Sequence, residues 1–246
     1  MQTFVDLLTW DLSLASGVVA LAGLMRGFAG FGSGMLMAPI FAILFGPPET
    51  VGTIALMELC VSAQLLPEVS RTVQWRFVLL MGLVAAAFMP LGSWILVAVN
   101  PEALARVMAA IVLVFVGILA VGWRYEGTRK IPITIGIGAI SGTMMAATSM
   151  GNPPVLLYML SGPDGPATNR ANIIGYFVVT QVFLIATLAG LMILGLSTLV
   201  RAVMLFPAFA LFAWIGGRLF RVANESFYRK FALLLLFCSG LMGLMR

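Results

Sequence analysis

Apolar runs of about twenty residues, separated by short clusters of charge, constrain this chain more than any other feature. Six runs are plain, at about 50–66, 77–99, 102–123, 168–194, 198–220 and 226–245. About 20 helical residues cross a hydrocarbon layer roughly 30 Å thick. The spacing predicts an all-α polytopic membrane protein, with residues 1–246 forming a single transmembrane domain. Composition removes the alternatives. Only 9% of the 246 residues are charged, against roughly 25% in an ordinary soluble domain. A soluble fold cannot cover that much apolar surface with so few charges. A cytosolic enzyme, a disordered chain and, despite a net charge of +5, a nucleic-acid-binding domain are thereby excluded.

The chain has no histidine, and Cys60 and Cys238 lie singly inside apolar runs. No metal site, disulfide framework or cofactor is expected from them. His-based triads and proton relays are excluded. With no GxSxG and no paired carboxylates inside the spans, no catalytic constellation is expected either. No Lys or Arg precedes Arg26, so the start reads as mature protein rather than as a signal peptide.

Two stretches behave differently. Residues 12–46 and 131–160 are apolar but too long for one span and awkward as two. As continuous helix, 35 residues would run about 52 Å. The first is interrupted by Arg26-Gly27-Phe28-Ala29-Gly30-Phe31-Gly32-Ser33-Gly34, the second by Ala147-Thr148-Ser149-Met150-Gly151-Asn152-Pro153-Pro154. Glycine and proline at that density unwind a helix. Unwound backbone at membrane depth is tolerated only against protein or a watery cavity.

The breaks correspond. A shift of 117 residues puts Gly34 on Gly151, Gln64 on Gln181 and Pro90 on Pro207; a shift of 123 puts Glu102 on Glu225, Arg106 on Arg229 and Gly117 on Gly240. The pattern predicts an internal duplication, with repeats of about 11–124 and 131–246. Charge then sets topology. Lys and Arg concentrate on the cytoplasmic side. Treated as a re-entrant hairpin, 131–160 gathers ten of them there: Arg71, Arg76, Arg124, Arg129, Lys130, Arg170, Arg218, Arg221, Arg229 and Lys230. Treated as a crossing, it leaves no bias. Each repeat is therefore expected to be a broken hairpin followed by three transmembrane helices. Three crossings per repeat invert one against the other, an architecture of many secondary transporters. Both termini are expected on the periplasmic face of a bacterial inner membrane.

The Gly-rich segment Gly27-Phe28-Ala29-Gly30-Phe31-Gly32-Ser33-Gly34, followed by Pro39 and repeated in the second half as Gly142 to Pro154, resembles the TauE/SafE sulfite-exporter family, also called the toluene-sulfonate uptake permease family. The resemblance covers the whole chain. It implies a membrane permease for sulfite, sulfonates or other small organosulfur anions. The second motif departs from it, with Ala146-Ala147-Thr148 where glycines are usual.

Candidate site residues follow from the breaks. A helix beginning at mid-membrane offers free N–H groups and partial positive charge to an anion. Gly30, Gly32, Ser33 and Gly34 in the first break, with Thr148, Ser149, Gly151 and Asn152 in the second, are expected to bind substrate; Ser33-Gly34 and Asn152 are read at the caps. The glycines equally permit close helix packing. Glu58 is the carboxylate well inside a span; it is either a proton carrier or the partner of Arg26. Arg26 can hold an anion, pair with Glu58 or snorkel. Gln64 and Gln181 can bond substrate oxygens or join helices. Arg170 reads as a cytoplasmic anchor or a first contact for anions. The expectation is a secondary transporter, proton or sodium coupled, in lipid, with a midplane site and alternating access; an anion channel using the same segments is the alternative.

Overall fold

A computed structural model describes residues 10–122, 130–150, 152–160, 164–219 and 225–245. All regular structure among them is helical: α1 (Trp10–Ala29), α2 (Ser33–Phe45), α3 (Pro47–Val69), α4 (Trp75–Ala98), α5 (Pro101–Val121), α6 (Ile131–Thr148), α7 (Asn152–Leu160), α8 (Pro166–Gly190), α9 (Leu196–Leu219) and α10 (Glu225–Leu244). By length and composition, α3, α4, α5, α6, α8 and α9 are long and apolar enough to cross a membrane. Five of these match expected spans. The sixth, α6, belongs to a stretch expected not to cross by itself.

Local chemistry sets the boundaries. Asn100 caps α5, accepting from the backbone N–H groups of Glu102 at 2.9 Å and Ala103 at 3.3 Å, with Pro101 at the first helical position. Gly122 closes that helix in the left-handed conformation. One expected boundary is corrected. The run expected to end near residue 66 continues as helix, because α3 carries Pro67 in its last turn and the Ser70 N–H still closes on the Leu66 carbonyl at 2.8 Å.

Contacts between helices give chain direction. Along α1 and α9, Gly23 meets Phe209 and Gly27 meets Ala213 and Gly217. Along α3 and α9, Gly52 meets Thr198 and Gln64 meets Ala210. So α1 and α3 both run in the sense of α9. Two successive parallel helices require a return between them, and the thirteen-residue α2 makes it. The second half repeats this. Gly138 lies on Met81 and Ala146 on Gly92, while Gly175 lies on Val78 and Val179 on Gly82. Helices α6 and α8 therefore both run with α4, and the nine-residue α7 returns between them. The long apolar stretches are hairpins of one long and one short helix.

The interior is polar where the surface is not. Arg26, Ser33, Thr53, Glu58, Ser62, Asn172 and Thr180 are buried, while Val114, Val203 and Leu234 are well exposed. A soluble protein reverses that arrangement. Small residues bring the helices close: Gly27 sits on the Ala213 carbonyl and Gly142 on the Ala85 carbonyl. Direction also gives a topology test. Cysteines introduced singly at Thr72 and Leu219, on a background lacking Cys60 and Cys238, are expected to react with an impermeant thiol reagent from one face, and a cysteine at Asn100 from the other. Labelling of Thr72 and Leu219 positions from opposite faces would overturn the hairpins.

Candidate functional site

The first break is short because two glycines take conformations other residues resist. Gly30 and Gly32 have φ of 80° and 95°. Gly32, not Ser33, stands at the cap position of α2, without a side-chain cap bond. Ser33 is the first helical residue, and its hydroxyl donates to Glu58 Oε1. Glu58 sits midway along α3, and its Oε2 lies 3.0 Å from Arg26 Nε. Arg26 Nη2 donates to Ser62 Oγ at 2.6 Å, and Nη1 donates to the Gly30 carbonyl. The guanidinium also lies 3.7 Å above the Phe177 ring.

Of the three fates open to Arg26, the structure has the Glu58 pair. Full burial removes snorkelling. The network joins α1, α2 and α3, so each partner fixes the break. A buried ion pair carries a desolvation cost that only good geometry and further hydrogen bonds offset. Here the guanidinium and carboxylate each have such bonds, and the Gly30 carbonyl bends back to supply one.

The second break lies beside the first. Ser149 takes a left-handed φ of 57° without being glycine, and its hydroxyl donates to the Val51 carbonyl at 3.3 Å. Its own carbonyl faces Gly34, where an added Cβ would stand 2.8 Å away. Thr148 donates to the Met144 carbonyl at 2.7 Å and accepts from the Met150 N–H at 3.2 Å. Gly151 and the Asn152 side chain lie outside the described residues; α7 begins at Asn152.

The two glutamines part company. Gln181 is buried, and its Oε1 has no hydrogen-bond partner among the described residues. Gln64 is exposed and reaches the Ala210 carbonyl of α9 at 3.5 Å. The structure brings Gln64 to a helix contact and not to the break.

Arg170 is the residue underweighted by the sequence. It is 6% exposed, so its guanidinium lies against protein. Its Nη2 donates to the Gly27 carbonyl at 2.8 Å, and its stem lies against Gly30. Gly27 is in the last turn of α1, where carbonyls lack helical donors and favour a cation. A signal existed. Arg170, Ile174, Phe177 and Gln181 fall at i, i+4, i+7 and i+11, one stripe of α8. Ser62, one turn beyond Glu58 on α3, gives no local sign of its bond to Arg26.

The result is a buried cluster inside the helix bundle. It has two guanidiniums and one carboxylate, and two helix breaks in contact. Planar forks of this kind match oxyanions. Both breaks fall within residues 15–243, which match the family model described as sulfite exporter TauE/SafE. No curated protein and no solved structure matches the chain.

Proposed function

Because the chain belongs to the sulfite exporter TauE/SafE family, a family of membrane transporters, we propose that it carries a small sulfur oxyanion by alternating access, bound where the two breaks meet. Burial of Arg26, Ser33 and Glu58, each 1% exposed or less, carries this reading. An open pore needs a wetted path past such a site, whereas a transporter passes through a state closed to both faces.

The Glu58 carboxylate occupies the place on Arg26 that a substrate oxyanion would take. Anion and carboxylate compete for the same donors. A proton delivered to Glu58 weakens the pair and frees Arg26 Nε for the anion, which couples uptake of one to the other. Ser33 and the first N–H groups of α2 supply further donors, and Gln181 reads the neutral end of a protonated oxyanion such as bisulfite. The repeats, about 11–124 and 131–246, run inverted. In support, α1 and α3 share the sense of α9, while α6 and α8 share the sense of α4. The face bearing Arg71, Arg76, Lys130 and Arg218 is cytoplasmic on the positive-inside rule, which leaves both termini on the far side of a bacterial inner membrane.

Reconstituted vesicles test this with sulfite, thiosulfate and a short alkyl sulfonate. Flux of at least one is expected to saturate and to rise with the same anion on the opposite side. A pH gradient is expected to drive the wild type but not Glu58→Gln. Flux linear in concentration and indifferent to anion on the far side would point to a pore instead.

A further inference from the structure

The two halves are fastened to each other at two places away from the break, one toward each face. On the first, Glu49 in the opening turn of α3 pairs with Arg201 of α9, and Ser197 of α9 donates to Glu49 at 3.0 Å. The Arg201 guanidinium also lies 4.5 Å above the ring of Phe45, at the end of α2. On the second, the Gln74 N–H donates to Asn172 Oδ1 at 2.8 Å, and Asn172 Nδ2 returns a bond to Gln74 Oε1 at 3.1 Å. Gln74 Nε2 also reaches Asp164 at 3.0 Å. Glu49 and Gln74 are on the first half; Arg201, Ser197, Asn172 and Asp164 are on the second. Glu58 lies between them, nine residues or about 13 Å of helix from Glu49.

We infer that these are the two latches of the transport cycle: a charged one at Glu49–Arg201 and a neutral amide one at Gln74–Asn172, closed together in this structure and opened one at a time. They have meaning only under alternating access between the halves, the mechanism proposed for the chain. Their chemistry differs, and so do their levers. Glu49 and Arg201 are 34% and 18% exposed, so salt screens the pair. Asn172 is fully buried, and its bond to Gln74 joins two uncharged side chains, so salt does not weaken it. Opening toward the Glu49 face should depend on ionic strength; opening toward the Gln74 face should not.

Single cysteines at Ile54, which lies against Gly34, and at Ile174, which lies against Gly30, report the two openings. They are placed on a background without Cys60 and Cys238, in oriented vesicles, and read with an impermeant thiol reagent from each face, with sulfite as ligand. Glu49→Gln, or about 1 M salt on an intact latch, is expected to speed labelling at Ile54→Cys by roughly fivefold and to slow it at Ile174→Cys. Arg201→Lys keeps the charge and should behave as wild type at low salt. Asn172→Ala should speed labelling at Ile174→Cys by a factor, relative to the same protein with Asn172, that does not change with salt. If Glu49→Gln and salt leave both rates unchanged, or raise both, the latches are refuted. If sulfite still shifts the two sites in opposite directions in that case, alternating access survives without them. If the two positions label together in every variant and sulfite moves neither, the transport mechanism itself falls.

Discussion

Replacing Glu58 by alanine is expected to abolish transport and to lower stability by about 3–5 kcal/mol, the usual cost of stranding one member of a buried ion pair. Arg26 is wholly buried, and Glu58 is its carboxylate partner at 3.0 Å. Without Glu58 the guanidinium keeps Ser62 and the Gly30 carbonyl but loses its counter-charge. Arg26→Met should cost about as much from the other side. The double variant Arg26→Met/Glu58→Leu separates the two effects. It buries neither charge of the pair, so it should regain most of the lost stability while remaining inactive. Ser33→Ala removes a single donor to a carboxylate and should cost about 1.5–3 kcal/mol. Thermal unfolding in detergent, run beside anion flux in vesicles, reads both quantities. A double variant as unstable as either single would mean that the pair is not what holds the first break.

Much of this architecture is legible in the sequence because membranes restrict what a chain can do. Backbone inside lipid must satisfy itself, so the segments around Gly30-Gly32 and Ser149-Met150 stand out as places where a helix is interrupted. Asn100-Pro101 is legible for a local reason, since cap and first-turn chemistry need no tertiary partner. Arg170 is harder. An arginine near the start of a span ordinarily anchors it in the headgroups, and nothing local says that α1 ends beside it with carbonyls to satisfy. The Gly27 carbonyl it bonds lies on α1, far from it in sequence. The glutamines carry the same lesson. Gln64 and Gln181 match across the shift of 117, yet one faces outward and the other inward. Gln181 shares a stripe with Arg170 and Phe177, while Gln64 lies about a third of a turn off the stripe of Ile54 and Glu58. Repeat position fixes the helix, and face fixes the role. Pro67 does not end the helix because it forfeits one backbone bond, to the Ala63 carbonyl, while the Ser70 N–H still closes the last turn on Leu66.

Glycine positions that look alike in the sequence should give three separate outcomes. Gly136 has open space where a Cβ would go. Gly136→Ala should therefore be neutral, or stabilising by up to about 1 kcal/mol from helix propensity. At Gly27 and Gly142 a Cβ would stand 1.8 Å from the Ala213 carbonyl oxygen and 2.0 Å from that of Ala85. Those contacts are backbone on long helices, α1 on α9 and α6 on α4, and no rotamer relieves them. Either alanine variant should cost about 3 kcal/mol or more and leave little folded protein. Gly34 lies between these cases. Its Cβ would meet the Ser149 carbonyl at 2.8 Å, so the two breaks must part by a few tenths of an ångström while the long helices stay packed. Gly34→Ala should reach the membrane, unfold within a few degrees of wild type, and lose roughly tenfold in flux, about 1.4 kcal/mol of barrier. Gly34→Val should lose transport outright. The contrast turns on where the crowding falls: between Gly27 and Ala213 it opens the scaffold, and between Gly34 and Ser149 it opens the site. A Gly34→Ala protein that folds and transports like wild type would make that contact mere packing and move anion binding away from the junction of the breaks.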